Sequence, residues 1–418
     1  MSTDKISDYF EGVAAKYLSA VDADPKRSRQ HEIGGLPAAG FKNYLGTPSK
    51  SEEYRFKAKQ LYFSDESSTP EIIEGVVTWY DCRRNKPQRR PEYRLYYYGN
   101  SVTEKLQEGD FFLVAKMRDN SLLMIFAPPD TTIESQLRVL FGLKKIGESF
   151  TKGQLNVVEL MLPLRLVLEE LGVSLGQDFR QDDDIWLESL IRLFGGSTFP
   201  TTALFSDYAR TSLSKDTDVL DAPDQTIVAW MEHEERLFRI YERYLVQQRL
   251  EKGFGGNGDD VESFIGFSLS VQNRRKSRVG HAFEGHLDKI FKAHGLRFQQ
   301  GRGKDAVTEN NAKPDFLFPG FKEYHSEIFR SEDLIMLGAK TTCKDRWRQV
   351  LTEANRIPVK HLITLEAAIS QKQTNEMEYH SLQLVVPLRI QDTYTDFQRN
   401  RLMSLSGFIE FVKSKSDR

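Results

Sequence analysis

A chain of 418 residues exceeds one typical domain, so two or three are expected. Hydrophobic residues at 39% and charged residues at 28% suit a globular chain and exclude wholesale disorder. Lys plus Arg, 58, against Asp plus Glu, 60, gives a net charge of −2, so a nucleic-acid partner would have to be met by locally concentrated positive charge.

Two cysteines, Cys82 and Cys343, exclude a disulfide framework and a thiolate-rich zinc site, and they suit a reducing compartment. The first 28 residues read as an amphipathic helix rather than a signal peptide. No apolar run approaches the ~20 residues of a membrane span. A cytoplasmic protein without a membrane partner is therefore expected.

In chain order, residues 5–20 carry Ile6, Tyr9, Phe10, Val13, Ala14, Tyr17 and Leu18 on one helical stripe, which predicts a helix. From 52 to 128 the runs YRFKAKQLYF, EIIEGVVTWYDC, EYRLYYYG, FFLVAKM and SLLMIFA alternate with the turn signals GN, EGD and RDN. This texture predicts a small all-β barrel or sandwich. Leucine-rich helical periodicity occupies 131–172, and the polar GQDFRQDDD (176–184) ends a linker. Helices follow at 185–194 and 224–251. The loop GFGGNGDD (253–260) lacks the GK[ST] of a phosphate-binding loop.

Beyond it the pattern predicts a helix (262–272), a basic stretch and a helix (280–294). Strands are expected near 315–318 and 334–340, then a helix (345–356) and strands at 361–365 and 382–386. That order describes an α/β domain on a mixed sheet. The expected organisation is a β domain over 1–145, a helical connector over 146–184 and an α/β domain over 185–418.

Within the α/β part, KPDFLFP places Asp315 at the start of a short apolar strand, 25 residues before Lys340 at the end of another. As neighbours, the two strands would bring these side chains to one sheet edge. Glu353 is expected on the following helix and Glu284 on the preceding one. Carboxylates with a lysine are what metal-assisted phosphodiester hydrolysis needs. Hard oxygen ligands hold Mg²⁺, the ion activates water, and the lysine stabilises developing charge. Taken singly, a strand-edge aspartate is ordinarily a turn residue and a strand-end lysine ordinarily solvated.

Two basic clusters flank this pattern. VQNRRKSRVG (271–280) carries Arg274, Arg275, Lys276 and Arg278, and the stretch after Lys340 carries Lys344, Asp345, Arg346 and Arg348. Arginine forks suit phosphates and guanine edges, while an aspartate can accept from cytosine N4. Lys344, Asp345 and Arg346 at a helix start therefore suit adjacent G·C pairs.

SVQNRRKSRVG, the helix bearing Glu284, KPDFLFP and above all KTTCKDRWRQVLTEA resemble the catalytic domain of the EcoRII-type restriction endonucleases, over roughly residues 185 to 415. The resemblance implies a homodimeric, Mg²⁺-dependent DNA endonuclease of the PD-(E)xK fold, acting on a CCWGG or CCNGG site. A companion methyltransferase is expected. It implies that Asp315 and Glu353 ligate the metal, that Lys340 is catalytic and that Glu284 is an additional active-site acid. Lys344, Asp345 and Arg346 would read the outer base pairs, with Arg348, Asn273, Arg274 and Arg275 as further DNA contacts. Gly338 stands where the usual pattern has an acid two residues before the lysine. This departure is shared with the resembling group, in which the helix acid takes the role. Tyr324 matches a family tyrosine sometimes placed in the site, although hydrolysis by water needs no tyrosine nucleophile. No other cofactor is implied.

The β domain resembles the effector-DNA-binding domain of the same enzymes, a β-pseudobarrel also found in plant transcription factors. Basic arms at 47–60 and 79–100 fit it, with Arg83, Arg84, Asn85 and Arg94 as groove contacts to a second DNA site. Most interleaved aromatics (Trp79, Tyr93, Tyr96, Tyr97, Tyr98) are expected in the barrel core. Two linked DNA-binding domains would make activity depend on the number of sites.

Other classes fit less well. No GxSxG elbow is present, Cys343 has no evident histidine partner, and His281, His286 and His294 do not form a zinc motif. A structure-specific repair nuclease would need no base-reading triplet, and a silent DNA-binding regulator would not need Asp315, Lys340 and Glu353 together.

Overall fold

The computed structural model describes residues 5–23, 31–64, 69–86, 88–155, 160–173, 182–304, 306–343 and 346–416. Two compact units divide the chain: 1–175 with 367–375, and 176–366 with 376–418.

The first unit is built on eight strands: β1 (Phe10–Tyr17), β2 (Glu32–Ile33), β3 (Tyr54–Tyr62), β4 (Glu71–Asp81), β5 (Tyr93–Tyr96), β6 (Phe111–Met117), β7 (Leu122–Ala127) and β8 (Thr151–Lys152). They form one sheet in the order β2-β5-β4-β3-β7-β6-β1-β8. Every pairing is antiparallel except β3 with β7.

Side chains alternate strictly between two cores. On β6, Phe112 and Val114 enter one cluster while Phe111, Leu113 and Ala115 enter the other. The first cluster draws Ala14, Ile33, Phe56, Val77, Leu95, Val114 and Met124 from seven different strands, which requires a curled, barrel-like sheet. The second lies on the opposite face. There helices α1 (Thr132–Leu140) and α2 (Leu162–Glu170) cover it with Leu137, Leu140, Leu164 and Leu168. Residues expected in a connector thus belong to the first unit's core.

Residues 10–17 correct the sequence reading: they form strand β1, not a helix. The reason is two-sided burial. Val13 and Ala15 point into one core and Ala14 into the other. A central strand with both faces covered reads as a near-continuous apolar run, which periodicity alone does not separate from a helix.

The second unit opens with helices α3 (Asp183–Phe194), α4 (Thr202–Ser212), α5 (Pro223–Glu251) and α6 (Val261–Ala293). Its four strands, β9 (Phe316–Phe318), β10 (Ile335–Lys340), β11 (Lys360–Thr364) and β12 (Leu382–Val385), run in the order β12-β11-β10-β9. Strands β10, β11 and β12 are parallel neighbours, and β9 is antiparallel to β10. Phe291 on α6 packs against Phe316 and Phe318 at ring distances of 5.2 and 5.5 Å, fixing the long helix on the β9 edge.

Helix α6 runs unbroken for 33 residues through the basic stretch expected to separate two helices. That stretch contains no proline, and its cations find partners. Arg275 pairs with Glu242 at 2.6 Å, Arg278 is buried against Glu234 and Glu235, and Arg274 lies 4.7 Å over the Phe199 ring. In the other direction, the helix expected at 345–356 is a single turn, Trp347–Leu351. Among the described residues no helix is long and apolar enough to cross a membrane.

Two-sided burial of β1 has a measurable consequence. Ala14→Asp and Ala15→Asp point to opposite cores, yet each is expected to cost more than ~3 kcal/mol through an unpaired buried charge. Urea unfolding followed by circular dichroism measures both. A tolerated substitution at either position would sink the assignment.

Candidate active site

The antiparallel register of β9 on β10 sets Phe316 opposite Leu337 and Leu317 opposite Met336. Asp315, one residue before β9, therefore falls beside the end of β10. Its Oδ2 accepts the Ala339 N–H at 2.7 Å and the Lys340 ammonium at 2.7 Å. Both side chains keep some exposure, 16% and 22%, so the pair faces solvent at the sheet edge. Among the described residues both bonds fall on Oδ2, leaving the lone pairs of Oδ1 for another ligand.

Gly338 has a packing reason. A Cβ there would lie 2.9 Å from Val350 Cγ2 and 3.3 Å from Cγ1. The Trp347–Leu351 turn lies directly over this point of β10, and Trp347 and Val350 are buried beneath it. An acid two residues before Lys340 would have no room. Glu353, which follows the turn instead of lying on a long helix, supplies the further carboxylate.

Glu353 Oε2 is buried and has no hydrogen-bond partner among the described residues. Burial, and next the Asp315 charge, push its pKa up to about 7, with Lys340 and Lys360 opposing. Glu284, between buried Phe283 and Leu287 on α6, is also raised, first by burial and then by Asp315. Its Oε2 accepts from Arg302 at 3.2 Å. The Asp315 charge thus acts on two further carboxylates, Glu353 and Glu284. Among the described residues no three His, Cys, Asp or Glu groups converge closely enough to hold an ion unaided. The donor set fits a hard divalent cation of the Mg²⁺ kind, which takes one or two carboxylates and keeps most of its waters. Glu353 Oε2, the orphaned buried oxygen, and Asp315 are the groups that would hold it.

Tyr324 is engaged elsewhere. Its hydroxyl lies 2.6 Å from both Glu309 carboxylate oxygens and accepts from the Arg356 N–H at 3.2 Å. Burial and the Glu309 bond push its pKa to about 12, so it stays protonated near neutrality. Lys360 escaped sequence analysis. It is buried at the start of β11, donates to Ile357 O at 3.0 Å, and has its pKa lowered by burial. A lysine opening a strand carries no distinguishing sequence signal.

Of the base-reading residues, Lys344 and Asp345 lie outside the described residues. Arg346 is exposed, and its guanidinium donates to Thr342 Oγ1 at 3.0 Å. Arg348 stacks 4.5 Å over Trp347 and pairs with Glu376 at 2.7 Å. Asn273 is exposed on α6, while Arg274 and Arg275 hold the intramolecular contacts given above.

In the first unit, Arg83 pairs with Glu92, Arg84 with Glu53 at 2.6 Å, and Arg94 with Glu92 and Glu32 at 2.7 and 3.0 Å. Asn85 is exposed. Trp79, Tyr93 and Tyr97 are core, whereas Tyr98 is exposed. The sequence signal found the cations but not the carboxylates that fold back onto them.

Two outcomes follow from this geometry. Gly338→Ala is expected to cost ~1–3 kcal/mol by overpacking against Val350. In denaturant titrations Val350→Ala should restore part of that loss in the double variant, and strict additivity would mean that the two positions do not press on each other. The second concerns pH. Glu353 binds its proton more tightly in the fold, pKa about 7, than at its ordinary 4.5, so its contribution is favourable below 4.5 and is lost as pH rises through 7. Without divalent cation, Glu353→Gln should therefore stabilise the protein at alkaline pH by on the order of 1–3 kcal/mol, with the gain fading below about pH 5. Thermal melts across pH would detect this, and a destabilised variant at alkaline pH would contradict it.

Comparison with known proteins bears on the same segment. Residues 238–409 match the family model described as EcoRII C terminal. The type II restriction enzyme EcoRII of Escherichia coli is 42% identical over 211 residues, 50% of this chain and 50% of that protein. The type II restriction enzyme SsoII of Shigella sonnei is 26% identical over 149 residues, 34% of this chain and 48% of that protein. The chain thus spans about half the length of these curated relatives. Among solved structures, metal-depleted Ecl18kI in complex with uncleaved, modified DNA aligns at a TM-score of 0.43 and 20% identity, over 57% of this chain and 85% of that one. Asp315, Lys340, Glu353 and Glu284 all lie inside residues 238–409, the α/β segment that matches the EcoRII C-terminal family model.

Proposed function

We propose that the protein is a type II restriction endonuclease that hydrolyses DNA phosphodiester bonds at a CCWGG- or CCNGG-like site with Mg²⁺. The observation that carries this reading is the 2.7 Å Asp315–Lys340 pair at an exposed sheet edge, with the orphaned buried oxygen of Glu353 beside it in charge. Identity of 42% over 211 residues to a type II restriction enzyme, and the match of residues 238–409 to the EcoRII C-terminal family model, support it.

The chain's own residues divide the work. Asp315 is oriented by the Ala339 N–H and the Lys340 ammonium, so its free oxygen is fixed before any ligand arrives. Lys340 supplies a positive charge that can pass from Asp315 to a non-bridging oxygen of the scissile phosphate as charge accumulates there. Glu353 and Asp315 would hold the cation, and Glu284 would add a carboxylate on the α6 side. When bound, Mg²⁺ neutralises phosphate charge and lowers the pKa of an attacking water.

Recognition is assigned to the turn after β10. Arg346 is exposed and offers its remaining N–H donors to a guanine edge, alongside Lys344 and Asp345 in the sequence. A site of twofold character suits a homodimer, with one centre for each strand. The barrel-like unit is proposed to bind a second DNA site. Its Arg83, Arg84 and Arg94 would have to exchange Glu92, Glu53 and Glu32 for phosphates, a requirement that sharpens their salt dependence.

Cleavage of supercoiled plasmids carrying one or three CCWGG sites, with Mg²⁺ and sequenced ends, tests the proposal. Cutting at those sites is expected, faster on the three-site plasmid. Lys340→Ala should abolish cutting while sparing specific binding. Binding without cutting by the unaltered protein would make it a regulator instead. Arg346→Ala should weaken specific binding by ~1–3 kcal/mol and nonspecific binding much less. An equal loss on both would leave Arg346 a phosphate contact.

A further inference from the structure

The segment Gly301-Arg302-Gly303 lies between α6 and β9, and the reading above leaves it without a role. We infer that Arg302 is a phosphate-contacting residue of the same centre, a reading that rests on the nuclease proposal. One guanidinium N–H anchors Glu284, and the others meet a non-bridging oxygen of the DNA backbone beside the scissile bond.

The backbone here is pinned to the residues that lead into Asp315. Gln299 and Leu317 exchange both N–H bonds, at 2.9 and 2.8 Å, and Gly301 N–H donates to Pro314 O at 2.9 Å. A Cβ on Gly301 would lie 2.6 Å from Pro314 O and 2.8 Å from the Lys313 carbonyl carbon, so only glycine allows this approach. Gly303 then turns the chain at φ +106°, a conformation that side chains disfavour. The two glycines bracket Arg302 and hold it at the mouth of the centre.

The side chain itself is not used up. Its guanidinium has five N–H donors, and among the described residues it donates to Glu284 alone, at 3.2 Å. It remains 60% exposed. An exposed ion pair contributes little to stability and gives no reason for so constrained a loop. Exposed Lys304 and Lys313 flank it, placing further positive charge on the approach to an otherwise carboxylate-rich site. A planar fork with free donors next to Glu284, whose charge is coupled to Asp315, suits a phosphate oxygen.

Two readouts on the full chain test this: binding to a CCWGG duplex in EDTA across a salt series by fluorescence anisotropy, and single-turnover cleavage with Mg²⁺. Arg302→Ala is expected to reduce the slope of log K against log salt by about 1 and to slow cleavage about 100-fold. Arg302→Lys should keep the slope, because the charge remains, while recovering only part of the rate. If the alanine variant loses cooperative unfolding, Arg302→Gln takes its place. Unchanged slope and rate in Arg302→Ala would overturn the inference, as would a lysine variant that loses the slope like alanine. An unaltered protein that fails to cut, while Arg302→Ala still loses one phosphate from its slope, would end the nuclease reading and keep the contact.

Discussion

The carboxylate–lysine cluster of the second unit depends on the antiparallel register of β9 against β10. That register sets Asp315 beside the Ala339 N–H and the Lys340 ammonium, with both donors on one carboxylate oxygen. A slip of one residue would invert the side chains of β9 and turn Asp315 away from Lys340. The register is held by burial on both faces. Phe316 and Phe318 pack under Phe291 of α6, and Leu317 is fully buried on the other side. The same packing sets α6, and therefore Glu284, against the site.

Steric exclusion decides the rest of the acid arrangement. Val350 fills the space over Gly338, so no side chain can project from that position of β10. The turn that delivers Val350 ends just before Glu353 and leaves its carboxylate half-buried, with one oxygen unpartnered. The position that excludes one acid and the segment that supplies another are parts of the same packed turn. Burial of that carboxylate costs stability when it is ionised, and a bound cation would relieve the cost.

Positive charge is kept in two ways. Arg83, Arg84, Arg94, Arg275, Arg278 and Arg348 are all engaged with carboxylates. Among the described residues Arg346 is exposed and bonds Thr342 rather than a carboxylate, and Arg302, 60% exposed, is tied to Glu284 by one N–H at 3.2 Å. With a net charge of −2, a polyanion would find its strongest attraction where the cations are not already neutralised.

The sequence by itself determined the barrel strands β3 to β7, whose alternating β-rich runs and turn residues are local signals. It determined the strands β9 to β12 for the same reason, and it brought Asp315 and Lys340 together as candidates because both stand at the ends of apolar runs. Three matters were decided only in the tertiary structure. Strand β1 reads like a helix because both of its faces are buried, which removes the alternation that marks a strand. Helix α6 continues through its basic stretch because helix α5, packed against it, supplies Glu234, Glu235 and Glu242 as partners. The occupation of each arginine was also illegible, since a cation and the carboxylate that neutralises it can lie 62 residues apart, as Arg94 and Glu32 do. Local pattern records which side chains a segment presents. Which of them remain free is set by the partners that folding brings from elsewhere in the chain.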